Sequence, residues 1–230
     1  MRLLGVLGGM SWASTQHYYR ALNEGVAARL GGLPSARLLL HSADFAPIAR
    51  AQHAGDWAAT AAALGEAAAG LARAGAGALL LATNTMHKVA DELEAASGLP
   101  LLHIADATAT AVRAAGHTRV GLLATAFTME EDFYTGRLRE HGLEVLVPEA
   151  ADRAEVHRII YDELCHDVVE PASRARYVEV VQRLADAGAE AIILGCTEIG
   201  MLIGAEDVPV PVFDTTAIHA AAGVDWLLGG

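Results

Sequence analysis

The chain has 230 residues, 53% of them apolar, and a formal net charge of −12. That length allows one large domain or two small ones with ample core material, and the acidic balance argues against nucleic acid or an anionic membrane surface as a partner. No uninterrupted apolar segment is long enough for a membrane span, and residues 1–9 lack the sustained apolar region of a signal peptide.

In chain order the pattern alternates strand and helix. Residues 3–7 read as a short buried strand, followed by the loop Gly8-Gly9-Met10-Ser11. Ser14 is expected to cap a helix to about residue 30, ended by Gly31-Gly32. A strand at 36–40 follows, then an Ala-rich helix capped by Asp56 and closed by Gly75. Residues 78–81 form a third strand, running into Thr83-Asn84-Thr85. A helix over about 86–96 stops at Gly98 and Pro100, and 101–104 read as a strand. The plan then repeats. Strands are expected at 119–123, 143–147, 191–194 and 210–213, and helices at about 129–141, 152–168, 171–187 and 215–228. Strand–loop–helix units in this order imply an α/β fold with parallel sheets and helices on both faces. Ligands in such sheets gather at the carboxyl ends of the strands.

The repetition extends to individual residues. Residues 72–83 lie against 185–196 at a constant offset of 113 with no gap, so that Thr83 falls on Cys196. A second match pairs Leu4-Gly5-Val6-Leu7-Gly8 with Val120-Gly121-Leu122-Leu123-Ala124. The expectation is two pseudo-symmetric α/β/α half-domains, residues 1–100 plus 214–230 and residues 101–213, with the active site in a cleft between them. Thr83 and Cys196 would then occupy equivalent strand ends on its two walls.

Cys196 stands in Leu194-Gly195-Cys196-Thr197-Glu198-Ile199, where an apolar strand gives way to a turn or helix start. A thiol facing a helix amino end is expected to have a lowered pKa and to serve as base or nucleophile. An isolated cysteine here would also fit inert packing. Two matched positions flanking one substrate suit racemisation, which needs a base on one face of a carbon and an acid on the other. The resulting carbanion calls for positioned donors. Candidates are the backbone N–H groups and side chains of Asn84, Thr85 and Thr197, with the side chain of Thr125. Each alone could equally be a helix cap. Cys165 and Cys196 are the only cysteines; they offer no disulfide framework and suit a reducing cytoplasm. No Cys/His spacing fits a zinc site.

These stretches carry a family resemblance. Gly5-Val6-Leu7-Gly8-Gly9-Met10-Ser11-Trp12, His41-Ser42-Ala43-Asp44-Phe45 and Thr83-Asn84-Thr85-Met86-His87-Lys88 come first. Leu102-His103-Ile104-Ala105-Asp106-Ala107-Thr108, the Cys196 motif and Pro211-Val212-Phe213-Asp214-Thr215 follow. In this order they resemble the cofactor-independent aspartate/glutamate racemase family, and in particular its broad-specificity amino-acid racemase branch. The resemblance implies two pseudo-symmetric α/β halves, a homodimer, and one reactive residue from each half. It implies no pyridoxal phosphate, metal or nucleotide, and a small amino acid as the substrate. Lys88, the only lysine, reads as a surface residue rather than a Schiff-base former.

Two departures refine this. Most of the family carries a cysteine in both halves, whereas here the first position is Thr83. The chain is similar to a Thr/Cys subset selective for deprotonating the L-enantiomer. In that reading Cys196 removes the α-proton of L-aspartate, L-glutamate or a related amino acid, and Thr83 serves the opposite face. The family also holds the substrate's side-chain carboxylate with an arginine and a lysine. Arg50 matches the arginine, but His166-Asp167-Val168 stand where the lysine is expected. Met10 and Gln52 line the cleft in the family. Glu198 could orient the cleft or tune Cys196, although a carboxylate beside a thiolate raises its pKa. His87 and His103 read as structural, and Cys165 as a core residue of an amphipathic helix. Two alternatives remain open. One is a single-cysteine decarboxylase of a malonate-type substrate, and the other a carboxylate-binding protein with weakened catalysis.

Overall fold

A computed structural model describes residues 1–229 of the chain. It resolves into two compact units. Unit 1 comprises Met1–His103 and the segment from His219 onward, and unit 2 is Ile104–Ile218.

Unit 1 holds a four-stranded parallel sheet, order β2-β1-β3-β4, of β1 (Leu4–Gly8), β2 (Leu38–Ser42), β3 (Ala78–Leu81) and β4 (Leu101–Leu102). Its helices are α1 (Trp12–Leu30), α2 (Phe45–His53), α3 (Trp57–Arg73) and α4 (Ala90–Ser97). A 3-10 segment, Thr85–Val89, leads into α4. The two sheet faces follow the alternation of side chains along a strand. Leu7, Leu79 and Leu81 pack with Leu64, Ala68 and Leu71 of α3. Leu4, Val6, Ala78 and Leu80 pack with Tyr18, Leu22 and Val26 of α1 and with Ala220, Val224 and Leu227 near the end of the chain.

Unit 2 repeats the plan with β5 (Arg119–Ala124), β6 (Glu144–Leu146), β7 (Ala191–Gly195) and β8 (Val212–Asp214), order β6-β5-β7-β8, all parallel. Its helices are α5 (Ile104–Ala114), α6 (Ala126–Glu130), α7 (Asp132–Glu140), α8 (Ala150–Asp162) and α9 (Pro171–Asp186). Helix α10 (Thr215–Leu228) starts in unit 2 and finishes in unit 1. The registers bear out the internal match. Leu4 pairs with Ala78 in unit 1, and Val120 with Ala191 in unit 2, which are the residues that the sequence alignment equates.

Local chemistry explains several boundaries. Asp56 caps α3 by accepting from the Ala59 N–H at 3.0 Å, as expected. The cap of α1 is Ser11 rather than Ser14. The Ser11 hydroxyl accepts from the Ser14 N–H, and Ser14 lies inside the first turn. The region 45–53, to which the sequence assigns no element, is helix α2, capped by Asp44. The expected strand at 101–104 pairs only at Leu101 and Leu102, and α5 begins two residues later. The expected helix at 129–141 is two short helices, and 152–168 is α8 followed by a 3-10 turn, Leu164–His166, that carries Cys165. No helix among the described residues is long and apolar enough to cross a membrane.

Candidate active site

In unit 1 the polar residues collect just beyond β1 and β3. Gly9 has φ +89°, and a Cβ there would lie 2.3 Å from the Ala43 carbonyl oxygen, so this turn needs glycine. The Gly9 N–H donates to Thr15 Oγ1 at 2.8 Å, and Ala82 N–H donates to the Leu7 carbonyl at 2.8 Å. Thr83 follows, its N–H turned back onto the Leu81 carbonyl. Thr83, Asn84 and Thr85 are all buried.

Behind this strand end lies a group of histidines. His87 Nδ1 sits 2.8 Å from the Thr83 carbonyl, which can only accept, so this nitrogen carries the proton. The His87 ring lies 4.5 Å from His103 and 5.8 Å from His219, centroid to centroid. His219 Nε2 donates to the Leu102 carbonyl at 2.6 Å, and its Nδ1 accepts from the Tyr18 hydroxyl at 3.0 Å. Burial, with smaller repulsion from His103 and His219, pushes the His87 pKa well below that of an ordinary imidazole. Burial brings His219 down to about 4. Both rings are therefore neutral near pH 7.

The remaining unit 1 candidates gather on or against α2, apart from Lys88. Arg50 and Gln52 both lie on α2, Arg50 exposed and Gln52 buried. Met10 is buried in the core with Leu7, Ile48, Leu64 and Met86. Lys88 places its ammonium 4.1 Å from the centre of the Trp57 ring, a cation–π contact.

In unit 2 the equivalent strand end is more tightly organised. Leu194 is held by the Thr215 hydroxyl, which donates to its carbonyl at 2.7 Å. Gly195 permits close approach of β7 to β5, since a Cβ there would lie 3.1 Å from Ala124 Cβ and 2.7 Å from Leu122 Cδ1. Cys196 then emerges half-buried, with Thr197 and Glu198 buried beside it. The Cys196 thiol donates to Glu198 Oε2 at 3.0 Å, and the Thr197 hydroxyl donates to the same oxygen at 2.6 Å. Thr125 stands beyond the neighbouring end of β5, where Ala124 is in register with Gly195. It is the N-cap residue of α6, and its hydroxyl meets that of Thr128 at 3.2 Å.

The electrostatics of Cys196 differ from the expectation. Only a three-residue 3-10 turn, Ile199–Met201, follows it, so no helix of useful length supplies a positive end. Burial raises the thiol pKa well above its ordinary value, and the negative charge of Glu198 and then Cys165 raise it further. The same two effects, burial and Glu198, lift Cys165 to about 12. Tyr177 of α9, not foreseen from the sequence, also faces this thiol electrostatically, while its hydroxyl donates to the Val156 carbonyl at 2.9 Å. Glu198, expected to orient the cleft or tune Cys196, is the hydrogen-bond partner of the thiol. Where the family lysine was sought, Glu163 accepts from Arg158 at 3.1 Å and from Ser173 at 2.5 Å, and His166 is exposed. Among the described residues no group of three or more His, Cys, Asp or Glu is arranged to hold a metal ion.

Two parallel α/β units of like topology, one ending a central strand on a cysteine paired with a carboxylate, define the class of an α/β racemase-type fold. The chain belongs to the Asp/Glu/Hydantoin racemase family, whose model matches residues 7–223. It is 53% identical to a Yersinia pestis protein described by inference as an Asp/Glu racemase, with a TM-score of 0.92 over 99% of this chain and 100% of that one. It is 33% identical to an aspartate racemase homologue from Pyrococcus horikoshii, with a TM-score of 0.85 over 99% and 100% of the two chains. An aspartate racemase from Picrophilus torridus shares the fold at 22% identity, with a TM-score of 0.80 over 99% of this chain and 94% of that one.

Proposed function

We propose that the chain is a pyridoxal-phosphate-independent amino-acid racemase. Its substrate is L-aspartate, L-glutamate or a related small amino acid, and it works as a cytoplasmic homodimer. The observation that carries this is the Cys196 thiol, presented at the end of β7 in hydrogen-bond contact with a buried carboxylate, in a chain of this family.

In the proposed reaction Cys196 first gives up its own proton, and the Cα–H bond of the L-amino acid then breaks with its proton moving to the Cys196 thiolate. The electron pair left on carbon delocalises into the α-carboxylate, where N–H and hydroxyl donors oppose the growing charge. Asn84, Thr85, Thr125 and Thr197 are the neutral groups of suitable chemistry, and Arg50 is the cation proposed for the side-chain carboxylate, with Met10 and Gln52 shaping its surroundings. Reprotonation comes from the Thr83 side, through its hydroxyl or a water that it holds. Because a hydroxyl is a far weaker acid than a thiol and its conjugate base far harder to form, α-proton exchange of the L-enantiomer is expected to exceed that of the D-enantiomer.

The test is α-proton exchange in deuterated water, followed by NMR, for both enantiomers of aspartate, glutamate and several small amino acids. Exchange from an L-enantiomer that outpaces the D-enantiomer and vanishes in Cys196→Ala is the expected result. Absence of exchange from every amino acid would overturn the reading, and carbon dioxide release from a malonate would favour a decarboxylase instead.

A further inference from the structure

A thiol in the Cys196 environment does not ionise by losing its proton to solvent. Its sulfur is half-buried, and it already faces the negative charge of Glu198, so a thiolate formed that way would add a second negative charge to one small space. Proton abstraction from carbon nevertheless requires the thiolate. The structure contains a route that keeps the local charge constant. The S–H points at Glu198 Oε2 over 3.0 Å, and the Thr197 hydroxyl, 2.6 Å from the same oxygen, fixes the carboxylate in place. Glu198 is only 2% exposed, so water competes little for its proton.

We propose that Glu198 is a catalytic residue, the base that takes the thiol proton of Cys196, so that the two side chains share one proton and one negative charge. This rests on the racemase reading given above. The S–H bond breaks, its proton goes to Glu198 Oε2, and the electron pair stays on sulfur. The thiolate then takes the α-proton, leaving both side chains protonated and the negative charge on the substrate. A water on the opposite face protonates the carbanion, and once the product has left, the Glu198 proton passes to solvent and neutralises the hydroxide formed, which restores the starting pair. No oxidant or cofactor enters the balance.

The other titratable groups around the sulfur are poorly suited to this role. Cys165, from the 3-10 turn after α8, is itself a thiol held protonated. The Tyr177 phenol on α9 is an acid, already donating to Val156.

The experiment compares wild-type protein with Glu198→Gln and Glu198→Asp in two assays. One is the rate of iodoacetamide alkylation of Cys196 against pH, read by peptide mass mapping. The other is α-proton exchange of the best L-amino acid. Removing the negative charge makes the thiol easier to ionise in bulk solvent. Glu198→Gln is therefore expected to alkylate about tenfold faster near pH 8 while losing about 100-fold or more in exchange. Glu198→Asp keeps a carboxylate and should regain part of the exchange. Faster alkylation with faster exchange would overturn the proposal, because Glu198 would then only perturb the thiol electrostatically. Unchanged alkylation in Glu198→Gln would overturn the shared proton itself. No exchange in the wild-type protein would refute the racemase reading, and alkylation unchanged by Glu198→Gln in that protein would refute the shared proton separately.

Discussion

The neutral histidines of unit 1 make its stability fall on mild acidification. In the unfolded chain an imidazole titrates near 6.5, and in the folded unit burial holds His219 at about 4. A depressed folded pKa means that the unfolded chain binds the proton first. The stabilising contribution is complete above about pH 6.5 and is lost as pH falls from there towards 4. At about 1.36 kcal/mol per pH unit, His219 alone removes about 2 kcal/mol between pH 7.5 and pH 5. His87, whose pKa is also lowered, adds to the loss in the same direction. Urea unfolding followed by tryptophan fluorescence isolates this effect, because Trp12, Trp57 and Trp226 all belong to unit 1. In His219→Gln the protein starts less stable at pH 7.5, having lost the Tyr18 and Leu102 contacts, but the pH-dependent loss shrinks by about 2 kcal/mol. Equal pH dependence in wild type and variant would refute the assignment of His219 as a buried neutral base.

Other consequences of the packing can be measured directly. Gly195→Ala drives a methyl against Leu122 and Ala124, and overpacking of this kind is expected to cost about 1–3 kcal/mol. Differential scanning calorimetry reads it, and an unchanged melting temperature would count against the close β5–β7 approach. Asp152 joins α8 to α9 by accepting from Arg176 and Arg183 at 2.7 Å each. Because the arginine side chains are 35% and 48% exposed, Asp152→Ala is expected to cost only about 1–2 kcal/mol in urea unfolding. Loss of the Asp56 cap in Asp56→Ala should lower unit 1 stability by about 1 kcal/mol. The same tryptophan signal measures it, and no shift in midpoint would remove that hydrogen bond from the account of α3.

The repeated plan was legible in the sequence because both central strands are short apolar runs set off by glycine. Residues 78–81 and 191–194 have no reason to be so uniformly apolar unless they are covered on both faces. Helices α2 and α5 were not legible. Pro47 falls near the start of α2, which has only nine residues, and it resembles a loop breaker until seen in the first turn. Helix α5 carries Thr108 and Thr110 near its middle, and β-branched threonine favours strand. In the structure the Thr108 and Thr110 hydroxyls instead donate to the carbonyls four residues back. The strand-end position of Cys196 could be anticipated, but its electrostatic setting could not. The direction of its pKa shift depends on whether a real helix follows and on where Glu198 points. Spacing in the sequence specifies neither. Tyr177 and Glu163 were invisible for a related reason, since their chemistry depends on tertiary neighbours rather than on a motif.

The division of the chain has a consequence for its synthesis. Unit 2 is one unbroken segment, whereas unit 1 must wait for the residues from His219 onward. Tyr18 meets His219 across 201 positions, and the sheet face of Leu4, Val6 and Leu80 is covered only in part, by α1, until Ala220, Val224 and Leu227 arrive. At the usual pace of a ribosome, making unit 2 takes on the order of ten seconds. Throughout that time the half translated first carries an open apolar surface, while the half translated second is able to close. The nascent chain is thus most exposed to aggregation at the sheet that β1 begins.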